Sequence, residues 1–172
     1  MGELVKRSTK KAFYGVQSTE GIVYTRMRYF TELSTSKNPV EYSRQYVDQS
    51  METTDVVGYS PSMSFAFDSY TDDAVLEDIV SIVDKEKLGT DAQREIILVD
   101  FSKESGGGYA AIKRTFAVIA DSEGDGSESY SYSGTFKVSG TAEHGIATIA
   151  TPTDGDSENV ETITFVADTD SE

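Results

Sequence analysis

The chain has no cysteine and no tryptophan, and it has one histidine and three prolines in 172 residues. The absence of cysteine excludes disulfides, thiolate metal sites and cysteine nucleophiles. No stretch reaches the ~18 consecutive apolar residues of a membrane span, and the opening GELVKRSTKK is not a secretory signal. We therefore expect a soluble protein that is made in the cytoplasm and contacts no membrane.

The scarcity of side chains suited to catalysis argues against an enzyme. Any Ser/His/Asp arrangement would depend on His144, which lies between Glu143 and Gly145 near the end of a predicted strand, and no nucleophile-elbow pattern supports it. Carboxylates are too numerous to mark a catalytic pair. The glycines at 106–108 do not open a helix, so they form no phosphate-binding loop. We expect no catalytic residue and no cofactor.

Acidic residues outnumber basic ones by 30 to 15, which gives a formal net charge of −15. Residues 1–50 carry eight Lys and Arg against five Asp and Glu, whereas residues 121–172 carry only Lys137 against twelve acids. Opposite charges on different regions favour head-to-tail contacts between copies of one chain, although solvated faces without a partner would give the same counts. So acidic a protein is a poor candidate for binding DNA phosphates.

One acidic segment imitates the first half of a calcium loop. Asp121, Glu123 and Asp125 precede a glycine, but Tyr132 stands where a bidentate Glu is needed, and strands rather than helices flank the segment. A weak calcium site completed by Glu128, or formed by the acidic turn at 154–158, remains open. We favour an acidic hairpin turn and expect no metal.

Apolar periodicity predicts a mainly β protein in a single domain over residues 1–172. The predicted strands are residues 22–33, 62–67, 95–101, 110–120, 130–139, 146–150 and 160–166. A helix is predicted over residues 72–88, with Thr71 or Asp72 as its N-cap, Gly89 as its stop and one apolar stripe. These elements favour an antiparallel β-sandwich or partly open barrel with one flanking α-helix and a long extended loop. Residues 145–172 are expected to hold the last strands and an acidic tail.

The long loop, residues 34–61, has no clear helix or strand pattern. It carries too many tyrosines and aliphatic side chains to stay solvated, so we expect it either to dock on another chain or to fold back over its own domain. Residues 1–21 are predicted to be an arm that orders on contact, or a frayed end. Four cations in this arm would meet an acidic neighbour: Lys6, Arg7, Lys10 and Lys11.

Extended stretches of the sequence are similar to one protein family. The run EYSRQYVDQSMETTDVVGYSPSMSFAFD, preceded by LSTSKNP and followed by AVLEDIV, resembles the major tail tube proteins of long, non-contractile-tailed bacteriophages of Gram-positive hosts. The segments VKRSTKKAFYGV and AIKRTFAVIADSEG resemble the same siphophage tail tube family. The likeness covers nearly the whole chain and contains no catalytic signature.

The resemblance implies a structural virion protein. Such proteins form a tail-tube β-sandwich or barrel, close into hexameric rings and stack the rings into a tube that carries DNA without binding it specifically. The implied partners are other copies, the tape measure protein and other tail proteins, in the phage tail and, during assembly, in the host cytoplasm. The expected subunit and ring contacts are made by the four N-terminal cations and by Tyr42, Arg44, Tyr46, Val47, Asp48 and Tyr59.

Two other functions fit the same sequence. One is a different tube-like component, such as a tail terminator or a secretion-tube protein. The other is a calcium-dependent extracellular β-domain for adhesion or binding, which the acidic turns and the missing cysteines would suit. An acidic channel wall would let DNA pass because it repels phosphate, which favours the tube.

Overall fold

The computed structural model describes residues 2–6, 9–125, 128–150 and 161–168. Within these residues the chain is mainly β, with one α-helix, α1 (Ala74–Asp84), and one short 3-10 helix (Gly89–Ala92). The strands are β1 (Lys10–Ser18), β2 (Gly21–Arg26), β3 (Phe30–Ser36), β4 (Pro39–Arg44), β5 (Thr53–Tyr59), β6 (Ser62–Asp68), β7 (Gln93–Ser105), β8 (Gly108–Asp125), β9 (Tyr130–Val138), β10 (Glu143–Ala150) and β11 (Thr162–Ala167). No helix in these residues is long and apolar enough to cross a membrane.

Nine strands form one antiparallel sheet in the order β10-β11-β2-β1-β7-β8-β9-β6-β3. The long strand β8 closes part of this sheet into a barrel. Its first residues pair with β10, where Ile112 lies opposite His144, while its later residues pair with β9, where Val118 lies opposite Phe136. The ring of β1, β2, β11, β10, β8 and β7 is therefore closed, and β9, β6 and β3 extend from it as an open sheet.

The sheet is covered on both sides where β1 and β7 lie. Neighbouring residues of a strand point to opposite faces, so Phe13 and Ile97 enter one apolar cluster while Tyr14 and Ile96 enter the other. The first cluster fills the barrel, and the second lies between the sheet and α1. The strand predicted over residues 95–101, EIILVDF, is thus a central strand that is covered on both faces.

Helix α1 lies on the sheet through the predicted apolar stripe. Asp73 caps it, because its carboxylate accepts hydrogen bonds from the backbone N–H groups of Val75 and Leu76 at 3.1 Å each. The N-cap is therefore Asp73 rather than Thr71 or Asp72. The helix also ends earlier than residue 88, since Glu86 has a φ of 47° and interrupts helical geometry before Gly89.

A buried polar contact fixes α1 to the strands. Asp78 of the helix accepts hydrogen bonds from the Tyr14 hydroxyl of β1 at 2.5 Å and from the Arg94 guanidinium of β7 at 2.8 Å. Arg94 is only 5% exposed, and it also donates to the carbonyl oxygens of Asp91 and Gln93. Burial, with Asp78 beside the hydroxyl, raises the pKa of Tyr14 well above its ordinary value.

Two predictions about the first 33 residues are wrong. Residues 1–21 are not simply an arm, because Lys10–Ser18 forms β1 in the middle of the sheet and buries Phe13 and Tyr14 completely. The strand predicted over residues 22–33 is broken at Tyr29, whose φ of 67° leaves the extended region. The break sends β2 into the barrel and β3 to the far edge of the sheet.

Two further segments differ from prediction in their bounds. The acidic turn expected after residue 120 is strand through Asp125, with a bulge next to Ala120, which lies opposite Gly134 of β9. A Cβ at Gly134 would lie 2.8 Å from the Phe65 ring, so the close packing there requires glycine. The last strand begins at Thr162. The predicted start at Val160, the acidic turn at 154–158 and the end of the acidic tail lie outside the described residues.

Candidate subunit interface

The long loop is a β-hairpin, formed by β4 and β5 and the turn between them. We call residues 39–59 the hairpin and residues 45–52 its tip. The two strands pair only with each other, in a two-stranded sheet separate from the large one. At its base, the Asn38 side chain donates hydrogen bonds to the Ser60 carbonyl at 3.1 Å and to the Ser62 hydroxyl at 3.0 Å. The long extended loop predicted over residues 34–61 thus contains two paired strands that its sequence pattern did not indicate, and these strands do not pair with the large sheet.

Apolar side chains on the hairpin are exposed on both of its faces. Every residue of it is exposed except Arg44 and Gly58. The exposed large apolar side chains are Val40, Tyr42, Tyr46, Val47, Met51, Val56, Val57 and Tyr59. An isolated two-stranded hairpin is at best marginally stable in water, and contiguous apolar exposure of this kind marks an interaction site.

Arg44 organises one face of the hairpin. Its guanidinium lies 2.6 Å from the Asp55 carboxylate and donates a hydrogen bond to the Tyr46 hydroxyl at 2.8 Å. It also lies over the rings of Tyr42 and Tyr46, 5.4 and 5.6 Å from their centroids. The predicted interface residues Tyr42, Arg44 and Tyr46 are therefore brought together in a preformed cluster of Tyr and Arg, the residue types that dominate binding energy in protein interfaces.

The remaining predicted hairpin residues lie apart from this cluster. Val47 and Asp48 are in the tip, and Val47 is fully solvated. Tyr59 pairs with Pro39 at the base. Asp55 was not predicted, because its pairing with Arg44 depends on strand register that composition does not reveal.

The predicted N-terminal cations differ in their surroundings. Lys6 is exposed in the segment before β1, and Arg7 lies outside the described residues. Lys10 approaches Asp100 at 4.0 Å. Lys11 is engaged within its own chain, 3.2 Å from the Glu161 carboxylate and 5.0 Å from the centre of the Phe101 ring.

The candidate calcium ligands Asp121 and Glu123 lie in β8, with Glu123 opposite Tyr132 in β9. A calcium loop needs its ligands on a tightly turned backbone, so this extended segment does not have the predicted loop geometry. Asp125 ends the same strand. Across the described residues, no group of three or more His, Asp or Glu side chains is arranged to hold a metal ion. His144 is exposed and is the second residue of β10, near a strand end as predicted.

The antiparallel sheet, the flanking helix and the projecting hairpin define a tail-tube-like fold. Among solved structures, the chain is similar to the SPP1 tail tube, determined by solid-state NMR and cryo-EM, with a TM-score of 0.51 and 16% sequence identity. The match covers 96% of this chain and 82% of that one. No protein-family model and no curated protein matches the sequence. At this identity, the likeness establishes the fold alone.

Proposed function

We propose that the chain is the structural subunit of a bacteriophage tail tube. The observation that carries this proposal is a hairpin with exposed apolar side chains on both faces, projecting from a tail-tube-like fold. A subunit that assembles with copies of itself would bury this hairpin, whereas a monomer would gain nothing from it.

In the assembled state, copies close into rings, six to a ring as the resemblance implies, and the rings stack into a tube. The contacts involve the Arg44 cluster, the tip and Tyr59, with Lys6 and Arg7 available at the N-terminus. The net charge of −15 suits a channel through which DNA passes without being held. The proposed partners are other copies, the tape measure protein and other tail proteins, in the virion and, before that, in the host cytoplasm.

This role is purely structural. The chain performs no reaction in this role and needs no cofactor. Its charged side chains make contacts between subunits and repel the phosphates of DNA in the channel. A tail terminator or secretion-tube subunit could share the fold, but the sequence resemblance favours the major tail tube.

Sedimentation velocity across a range of protein concentrations tests the proposal. The wild-type chain is expected to form species much larger than a monomer, while a variant with Tyr42→Ser and Val47→Ser is expected to remain monomeric, because it loses two exposed apolar contacts without losing any buried side chain. The matched control is Ile22→Ser, which removes a similarly exposed apolar side chain away from the hairpin and should assemble as the wild type does. Equal assembly by all three proteins would contradict the proposed role of the hairpin.

A further inference from the structure

Two adjoining grooves on the sheet collect much of the positive charge of this acidic chain. The first has a volume of about 620 Å³ and lies between β1, β2 and β3. Its cations are Lys10, Lys11, Arg26 and Arg28. Its apolar lining is formed by Ala12, Met27, Phe30, Leu33, Met63 and Leu98.

The second groove has a volume of about 420 Å³ and shares Lys10 and Leu98 with the first. It adds three cations, Lys37, Lys103 and Arg114, above an apolar lining from β7 and β8. Among the described residues, the only carboxylates that line either groove are those of Asp100 and Asp168. We call the two together the basic groove.

The first and second grooves are the two halves of the basic groove, and their cations differ in whether they form ion pairs. Those of the first half are partly neutralised, for example by Asp73, which lies 3.1 Å from Arg28, and by Glu161, which lies 3.2 Å from Lys11. Lys37, Lys103 and Arg114 form no ion pair within the described part of the chain. The second half therefore has cations available for an acidic partner.

The hairpin tip has the complementary chemistry. Asp48 and Glu52 are exposed there beside the apolar side chains of Val47 and Met51. No Lys or Arg occurs between residues 45 and 84. The tip thus combines negative charge with apolar surface, as an occupant of a groove with cationic walls and an apolar lining should.

The tip is out of reach of the groove on its own chain. The hairpin leaves the body next to Lys37, at the rim of the second half, and the six residues of β4 carry the tip roughly 20 Å away. The tip is also exposed and the hairpin strands pair only with each other, so we take the occupant of the groove from a different molecule.

We infer that the basic groove of one copy receives the hairpin tip of a second copy, with Asp48 and Glu52 opposite Lys37, Lys103 and Arg114. This inference rests on the proposed self-assembly and names the two surfaces that meet. The contact joins different patches of the two molecules, so repeating it builds a ring or a filament rather than a closed pair.

Charge reversal tests the pairing by sedimentation velocity. One variant reverses the charges of the tip (Asp48→Lys with Glu52→Lys), and another reverses those of the groove (Lys37→Glu with Lys103→Glu). Each should raise the protein concentration needed for assembly by about tenfold or more, because it places like charges in contact. A chain with all four substitutions should recover to within about threefold of the wild type. Controls with a single charge reversal of either sign elsewhere, Glu20→Lys and Lys137→Glu, should assemble normally.

Three results would overturn the inference. Normal assembly of either reversed chain would show that the tip and the groove do not meet. Failure of the fourfold variant to recover, with its thermal melt intact, would show that the two reversals act on separate contacts. Retention of a labelled DNA duplex by the wild type, lost on groove reversal but not on tip reversal, would make the groove a nucleic-acid site.

A cross-linking experiment separates this inference from the proposed function. The chain has no cysteine, so Val47→Cys in one copy and Ala110→Cys, in the lining of the second groove, in another can join only to each other or to themselves. With oxidised glutathione added as the oxidant, a mixed disulfide should form, its yield should fall in 1 M salt, and it should be absent when Glu20→Cys replaces Ala110→Cys. If the wild type assembles but no mixed disulfide forms, the inference fails while the proposed function stands. If the wild type does not assemble, the proposed function fails, and the disulfide still reports whether tip and groove meet.

Discussion

Removing the hairpin should leave a folded monomer that no longer assembles. Pro39 and Tyr59 lie opposite each other in the ladder, so two glycines in place of residues 40–58 can bridge them without moving the strands on either side. The sheet and α1 keep all of their own contacts in this variant. The hydrogen bonds of Asn38 at the hairpin base also remain.

The expected change in the free energy of unfolding is small. The large apolar side chains of the hairpin are all more than half exposed, so deleting them removes little apolar surface that folding had buried. The connection between β3 and β6 shortens from 25 residues to about eight, which reduces the cost of loop closure by about 1 kcal/mol. The two effects oppose each other, and we expect stability within about 1 kcal/mol of the wild type.

Urea unfolding followed by tyrosine fluorescence measures this change, since the chain has no tryptophan. The same samples in sedimentation velocity should contain only monomer. A variant with Val47→Ser and Met51→Ser keeps the hairpin backbone and serves as the control for stability. Loss of a cooperative transition, or destabilisation by more than about 3 kcal/mol, would show that the hairpin supports its own fold and would refute the reasoning.

Four other outcomes are expected. Asp78→Ala should cost about 3 kcal/mol in urea unfolding, because it leaves the buried Arg94 guanidinium without its carboxylate, whereas Asp78→Leu combined with Arg94→Met should recover most of this loss. The contribution of Tyr14 to stability should be constant up to about pH 10 and be lost at higher pH, since its folded pKa is raised and only the unfolded state then ionises; alkaline melts should show a weaker fall in Tyr14→Phe. Arg44→Ala should reduce assembly in sedimentation velocity while shifting the melting temperature by less than about 3 °C, because its partners are all in the hairpin. Calorimetric titration with calcium should show no micromolar binding, and a micromolar site with a raised melting temperature would favour the adhesive β-domain instead.

Much of the fold was predictable where one face of an element is buried and the other is not. Strand β6 alternates buried Met63, Phe65 and Phe67 with half-buried residues, and that period of two is visible in the sequence. Helix α1 likewise shows its apolar stripe. The glycines at 106 and 107 have φ values of 55° and 89°, as expected for the turn between β7 and β8.

The missed strands are β1 and the two strands of the hairpin, where the pattern of burial has no period. Strand β1 has four consecutive buried residues because the barrel covers one face and α1 the other, so it shows no alternation. The two strands of the hairpin were missed for the opposite reason. Neither face of the hairpin is covered, so its strands have no buried side that would show alternation. Predicting either strand would have required knowing its neighbours in the sheet.

The candidate interface was predictable only where its residues are close together in the sequence. Tyr42, Arg44 and Tyr46 are close in sequence, and the structure brings them into one cluster. The basic groove is assembled from β1, β2, β7 and β8 and from the residues before β4, which are far apart in the chain. Only the order of the strands places those cations side by side.

Negative-stain electron microscopy of the purified wild-type chain, over a range of concentration and salt, tests the central claim most directly. We predict rings or hollow tubes roughly 100 Å wide, the width that six subunits of this size around a DNA channel would need. The hairpin-deleted chain on the same grids should show only small particles. Dispersed monomers of the wild type under every condition would contradict the account.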